Sequence, residues 1–223
     1  MIVLRDYQDH LKRCIYDAWQ QPDVKNVIAV SPTGSGKTAI FSSIIYDNQQ
    51  YPVVAIAHRQ ELVGQISQAL ARNGVTHNII ASNGVIQFCI AQHIKEFGRN
   101  FHHASAPVAV AGVQTLIRRK DRLVQWANQV RLWTQDECHH VLPENSWGKA
   151  ADMFPHAVGL GVTATPIRCD QKPLGRKHGG MFDRMVIGLS MRELIDLGHL
   201  CDYRVFVPPQ SLDLDAIKVS AGT

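Results

Sequence analysis

The chain has 223 residues, 45% hydrophobic and 19% charged, and its 23 Lys and Arg against 19 Asp and Glu leave a net charge of +4. That composition is ordinary for a globular protein and too apolar for a disordered chain, and the length allows a core without disulfide or metal staples. No run of about 18 apolar residues occurs to span a membrane, the opening Met1 to Asp6 is no signal peptide, and five scattered cysteines never spaced C-x-x-C predict a reducing, cytoplasmic setting.

Leu4, Tyr7, Leu11, Ile15 and Ala18 recur at helical spacing and predict an amphipathic helix over about 5–20, stopped by Pro22 and Asp23. Val27 to Val30 reads as a buried strand running into Ser31-Pro32-Thr33-Gly34-Ser35-Gly36-Lys37-Thr38 and a helix over about 37–47. A second strand, Val53 to Ala57, precedes a helix with Leu62, Val63, Ile66, Ala69 and Leu70 on one stripe and Asn73-Gly74 as its stop. His77 to Ile80 predicts a short strand, 88–97 a helix, Val108 to Ala111 a strand and 113–126 a helix. Val130 to Gln135 leads into Asp136-Glu137, and Val158 to Val162 into Thr163-Ala164-Thr165-Pro166. Last comes a helix with a Ser190/Glu193 capping box, ending at Gly198. Strands alternating with helices predict an α/β fold, a mostly parallel sheet covered on both faces. One domain to about residue 205 is expected, with 206–223 as a linker.

A strand, a glycine-rich turn ending Gly36-Lys37-Thr38, then a helix is the context of a P-loop, although Ser31 stands where the general pattern has its first glycine. Glycines let backbone N–H groups face phosphate oxygens at a helix start. Lys37 would reach the β- and γ-phosphates, and the Thr38 hydroxyl would ligate Mg²⁺. Asp136-Glu137 falls at the C-terminal end of a predicted strand, the edge where open α/β sheets bind ligands. There Asp136 could hold Mg²⁺ and Glu137 could orient and deprotonate water. Cys138-His139-His140 has no partner at metal-ligand spacing.

Together these segments resemble the motifs of superfamily 2 DEAD/DEAH-type helicases, in order over residues 4–166. Leu4-Arg5-Asp6-Tyr7-Gln8 resembles the adenine-sensing Q-motif, and Pro32 to Thr38 resembles motif I in a form lacking the first glycine. Ala57-His58-Arg59 through Gln65 is similar to motif Ia, Gly112-Val113-Gln114-Thr115-Leu116 to motif Ib, Asp136-Glu137-Cys138-His139 to a DECH form of motif II, and Thr163 to Pro166 to motif III. The run Leu160 to Arg168 with Glu193 to Leu200 is similar to the restriction-enzyme motor and RadD-like subgroup. The resemblance implies the N-terminal RecA-like P-loop NTPase domain of a DNA helicase or translocase, using ATP and Mg²⁺. Arg5, Tyr7 and Gln8 would recognise adenine, and Pro32, Thr33, Gly34, Ser35, Gly36, Lys37 and Thr38 would hold the phosphates. Lys37, Asp136 and Glu137 would carry hydrolysis, with Thr38 and Asp136 on the metal. Arg59, Gln114 and Thr115 would touch a nucleic-acid backbone, DNA ahead of RNA, while His139, Thr163 and Thr165 would couple nucleotide state to it.

The polar residues of Val130-Arg131-Leu132-Trp133-Thr134-Gln135 depart from the apolar run that a doubly covered strand favours, so its exposure or register is left open. Of two basic clusters, Arg118 to Arg122 reads as a solvated face, and Arg168 to His178 as either a solvated loop or a nucleic-acid contact. His102-His103 reads as surface. The family also implies a second RecA-like domain supplying an arginine finger, in the same or another chain. No segment after residue 205 could provide one, so turnover by this chain alone is expected to be weak or absent. The alternatives are a truncated nucleotide- or nucleic-acid-binding module without autonomous catalysis, and a small-molecule kinase, which would leave Tyr7-Gln8 and Thr163 to Pro166 unexplained.

Overall fold

The computed structural model describes residues 3–168 and 172–206, so most of the expected linker lies outside the described residues. Seven strands, β1 (Asn26–Val30), β2 (Val53–Ala57), β3 (Asn78–Ile80), β4 (Val108–Gly112), β5 (Leu132–Gln135), β6 (Val158–Thr163) and β7 (Arg184–Ile187), form one sheet in the order β3-β4-β2-β5-β6-β1-β7. Every pairing is parallel. A parallel sheet needs crossovers, and these supply the helical layers. Helices α1 (Asp6–Trp19), α2 (Lys37–Asp47), α3 (Gln60–Arg72) and α4 (Asn83–Phe97) share one apolar core with the sheet. Helices α5 (Val113–Arg118), α6 (Lys120–Ala127) and α7 (Ser146–Ala151) share the other, and a short α8 (Met191–Asp196) follows β7.

Alternation along each strand divides it between the two cores. Val27, Ala29, Val53 and Ala55 enter the first, while Ile28, Val54 and Ile56 enter the second. Burial on both sides is why these strands are continuous apolar runs. Strand β7 is the exception, an edge on which Met185 and Ile187 stay exposed. No helix among the described residues is long and apolar enough to cross a membrane.

Four expectations need adjustment. The helix predicted over 88–97 starts at Asn83, after Ser82 in extended conformation. The stretch 113–126 divides at Arg119, whose backbone leaves the helical region. Strand β5 is buried along its whole length and in register with β2 and β6. Trp133 makes this possible by filling the space above Gly159, where a Cβ would lie 2.2 Å from its ring. His102 is only half-exposed and bridges to His77 rather than lying free on the surface.

The first core contains a buried polar chain. His77 Nδ1 lies 2.9 Å from the Val75 carbonyl, which can only accept, so this nitrogen carries the proton. His77 Nε2 then accepts from Ser67 Oγ at 2.7 Å, and His93 Nε2 donates to the same Ser67 Oγ at 3.0 Å. The Phe101 N–H donates to His93 Nδ1 at 3.4 Å. Both rings are therefore neutral. Burial holds His93 below the usual imidazole range and His77 down to about 4. An unfolded imidazole titrates near 6.5, so below that pH the unfolded chain takes up protons that the fold refuses. Stability is complete above about pH 6.5 and is lost as pH falls toward 4. Urea unfolding should show about 2 kcal/mol less stability at pH 5 than at pH 7.5 from His77 alone; an unchanged midpoint would mean that these rings titrate freely.

Candidate functional site

At the C-terminal edge of the sheet, the β1–β6 ladder continues one step past β1. The Ser31 N–H donates to the Thr163 carbonyl at 3.0 Å and ties the glycine-rich loop to the Thr163 to Pro166 segment. Gly34 and Gly36 take φ of +83° and +85°, the left-handed region open to glycine. Gly36 also begins α2, and no side chain caps that end. The loop is braced from within by Ser31 Oγ and Ser35 Oγ, 2.7 Å apart and buried. Lys37 Nζ lies 3.4 Å from both the Ser31 and Pro32 carbonyls, folded over the turn that would hold phosphate.

Helix α1 locks the loop from behind. Gln8 Nε2 and Tyr7 Oη both donate to the Ser35 carbonyl, at 2.8 and 2.9 Å, while Gln8 Oε1 accepts the Arg5 N–H at 3.0 Å. Gln8 is buried, and a Cβ on Gly36 would come within 2.3 Å of its amide nitrogen. The predicted adenine-recognition residues thus sit directly against the predicted phosphate loop, with Arg5 exposed. Two further neighbours come from the Glu193 to Leu200 run, to which the sequence assigned no role at this loop. The His199 ring lies 4.9 Å from that of Tyr7, and Leu200 would approach a Cβ on Gly34 at 3.1 Å.

Asp136 follows β5, beside β6 and hence near β1. Its Oδ1 accepts the Glu137 N–H at 2.8 Å. Burial pushes its carboxyl up; the Glu137 N–H bond and, more weakly, the Lys37 ammonium oppose this, so Lys37 and Asp136 act on one another. Glu137 itself takes φ of +50°, uncommon for a residue with a side chain. His139 Nδ1 lies 2.9 Å from Thr163 Oγ1 and 3.3 Å from Glu137 Oε2. Thr163 Oγ1 in turn donates to the Thr165 carbonyl at 3.2 Å and accepts the Thr165 N–H at 3.1 Å. Among the described residues no three His, Cys, Asp or Glu side chains gather as a metal cage. Mg²⁺ takes one or two protein ligands and completes its shell with phosphate and water; Thr38, the second residue of α2, and Asp136, directly after β5, are the side chains that would hold it. Cys138 is fully buried, and burial drives its thiol far up, away from thiolate chemistry.

A cleft of about 720 Å³ opens farther along the same edge, lined by Arg59, Gln114 and Thr115. The starts of α3 and α4 face it through Arg59 and Ser82, and neither carries a side-chain cap. Arg118 and Arg119 complete a cationic wall, so part of the first basic cluster faces this cleft rather than only solvent. Two members of the second cluster are engaged within the fold. Arg168 is buried with Nη1 3.3 Å from the His178 carbonyl, and Arg176 pairs with Asp183 at 2.5 Å. The sequence signal that could have found Ser82 was its place as a helix start.

Residues 1–168 match the family of the type III restriction enzyme res subunit. The chain belongs to this family. The fold is that of the nuclease-deleted type ISP restriction-modification enzyme LlaGI, solved with a DNA substrate mimic, at 13% identity and TM-score 0.63 over 89% of this chain and 21% of that one. The UvsW helicase of bacteriophage T4 is similar at 16% identity and TM-score 0.56, over 83% of this chain and 60% of that one. The chain thus spans about a fifth of the first and three fifths of the second. No curated protein sequence matches it. Family and fold together make it an N-terminal RecA-like domain of the superfamily 2 helicase type.

Alanine at either loop glycine of this res-subunit domain carries the same left-handed penalty of about 1–2 kcal/mol. Gly36→Ala adds a collision with Gln8, whereas Gly34→Ala meets only the flexible end of Leu200. Gly36→Ala should therefore lose at least tenfold more affinity for a fluorescent Mg-ATP analogue than Gly34→Ala, and equal losses would show that Gln8 does not shape the loop.

Proposed function

We propose that this domain binds Mg-ATP on the loop of residues 31–38 and hydrolyses it in response to nucleic acid, DNA in preference to RNA. The observation that carries the reading is the convergence of Lys37, Asp136, Glu137 and Thr163 at one end of neighbouring strands β1, β5 and β6. On nucleotide binding, Lys37 exchanges its loop carbonyls for phosphate oxygens, and the uncapped start of α2 turns its N–H groups toward the same anion. Thr38 and Asp136 would hold Mg²⁺, which when bound would neutralise charge developing on the γ-phosphate. Glu137 accepts the proton of the attacking water, and His139 fixes its carboxylate against Thr163.

The cleft of Arg59, Gln114 and Thr115 takes a nucleic-acid backbone, where cationic groups and helix starts position the strand without reading its sequence. DNA is favoured because the structurally similar LlaGI was solved with a DNA substrate mimic. A second RecA-like domain, from the same polypeptide or another, supplies the arginine that raises turnover by about 10³ to 10⁵.

Calorimetry and phosphate release on this chain test the reading. Wild type should bind Mg-ATP, with slow turnover raised by single-stranded DNA more than by RNA. Lys37→Ala should abolish binding, and Glu137→Gln should keep binding while cutting turnover by about 10² to 10⁴. Unchanged Mg-ATP affinity in Lys37→Ala would overturn the assignment.

A further inference from the structure

Between the cleft and the acidic pair lies a column of rings that neither predicted site accounts for. His58, on the cleft wall beside Arg59, stacks on Trp147 with centroids 4.4 Å apart and planes 25° from parallel. Trp147 meets His140 at 4.9 Å, and His140 meets His139 at 4.0 Å. His139 contacts both Glu137 and Thr163. The column therefore runs unbroken from a cleft residue to the carboxylate proposed to activate water.

The backbone at Trp147 is anchored to the preceding loop. The Asn145 side chain accepts the N–H groups of Trp147 and Gly148 at 2.9 and 3.0 Å and donates to the His140 carbonyl at 2.7 Å. Helix α7 presses so closely on the preceding turn that a Cβ on Gly148 would lie 2.0 Å from the Leu142 carbonyl oxygen. The backbone that carries the indole is thus tied to the same loop as His140. His58 is held differently: its Nδ1 is buried and has no hydrogen-bond partner among the described residues. Stacking, not hydrogen bonding, sets its position. Gln135, directly before Asp136 and paired in register with Ile56, likewise has both amide atoms buried without partners among the described residues.

Resting on the two-site reading above, we infer that Trp147 is a positioning residue that couples occupancy of the nucleic-acid cleft to the hydrolytic pair through the rings of His58, His140 and His139. A backbone seated against Arg59 moves His58, the indole follows its stacked partner, and the loop bearing His139 and Glu137 shifts with it.

Coupling is reciprocal in binding, so the test needs no turnover. The affinity of the 223-residue chain for fluorescent oligo(dT) is measured with and without Mg-ATPγS, and that for Mg-ATPγS with and without oligo(dT). Wild type should show a coupling factor of about 5 to 150, identical in both directions. In Trp147→Ala it should collapse to within about twofold of unity while each ligand alone binds within about threefold of wild type. Trp147→Phe should restore it. His58→Ala breaks the same stack without touching α7, so it serves if Trp147→Ala does not fold. Undiminished coupling in Trp147→Ala or His58→Ala, or two bound ligands with no coupling in wild type, overturns the inference. Failure of wild type to bind oligo(dT) at all instead sinks the cleft assignment, and the inference with it.

Discussion

The hydrogen bond from the Ser31 N–H to the Thr163 carbonyl is the contact on which the arrangement of the site depends. It extends the parallel pairing of β1 with β6 past the end of β1, into residues that would otherwise be loop. Two segments far apart in sequence are thereby fixed to within one hydrogen bond where both leave the sheet. Everything proposed for hydrolysis is built from that anchor. On one side stand the phosphate loop and its brace to Gln8; on the other, Thr163 holds His139 and through it Glu137. Parallel strands deliver all their C-terminal ends to one edge, so a single sheet can gather loops from its whole length.

Much of this was legible in the sequence. Val27 to Val30, Gly36-Lys37-Thr38 and Asp136-Glu137 announce themselves because the chemistry they serve demands particular residue types at fixed offsets. The two-core fold was legible too, since strands covered on both faces must be continuously apolar. What escaped is what one segment owes to a distant one. The burial of β5 depends on Gly159 leaving room for Trp133, which no local pattern in 130–135 could show. The break at Arg119 lies inside a stretch of helix-favouring residues. Arg168 and Arg176 look like nucleic-acid ligands by charge, yet His178 and Asp183 engage them within the fold. Trp147 carried no motif at all.

Sequence identity of 13–16% with the similar solved structures shows how little the fold constrains individual residues. What the chain shares with them is the fold. Inside the first core, the Ser67, His77 and His93 chain keeps its buried polar groups satisfied, as a core must. A buried polar chain of this kind has only one proton arrangement, because its ends are a backbone acceptor and a backbone donor.

The left-handed backbone at Glu137 sets two demands against each other. Glycine or asparagine would occupy that conformation more comfortably than a glutamate, whose strain is of the order of 1–3 kcal/mol. Chemistry asks for a carboxylate on a side chain long enough to reach His139 Nδ1. The residue that relaxes the chain is therefore not the residue that can take a proton. It follows that the proposed base is placed by its surroundings and against its own local preference: Asp136 holds its N–H and His139 holds its carboxylate. Such a position is quiet in energetic terms only while both hold, so loss of either neighbour would displace the base without altering the base itself.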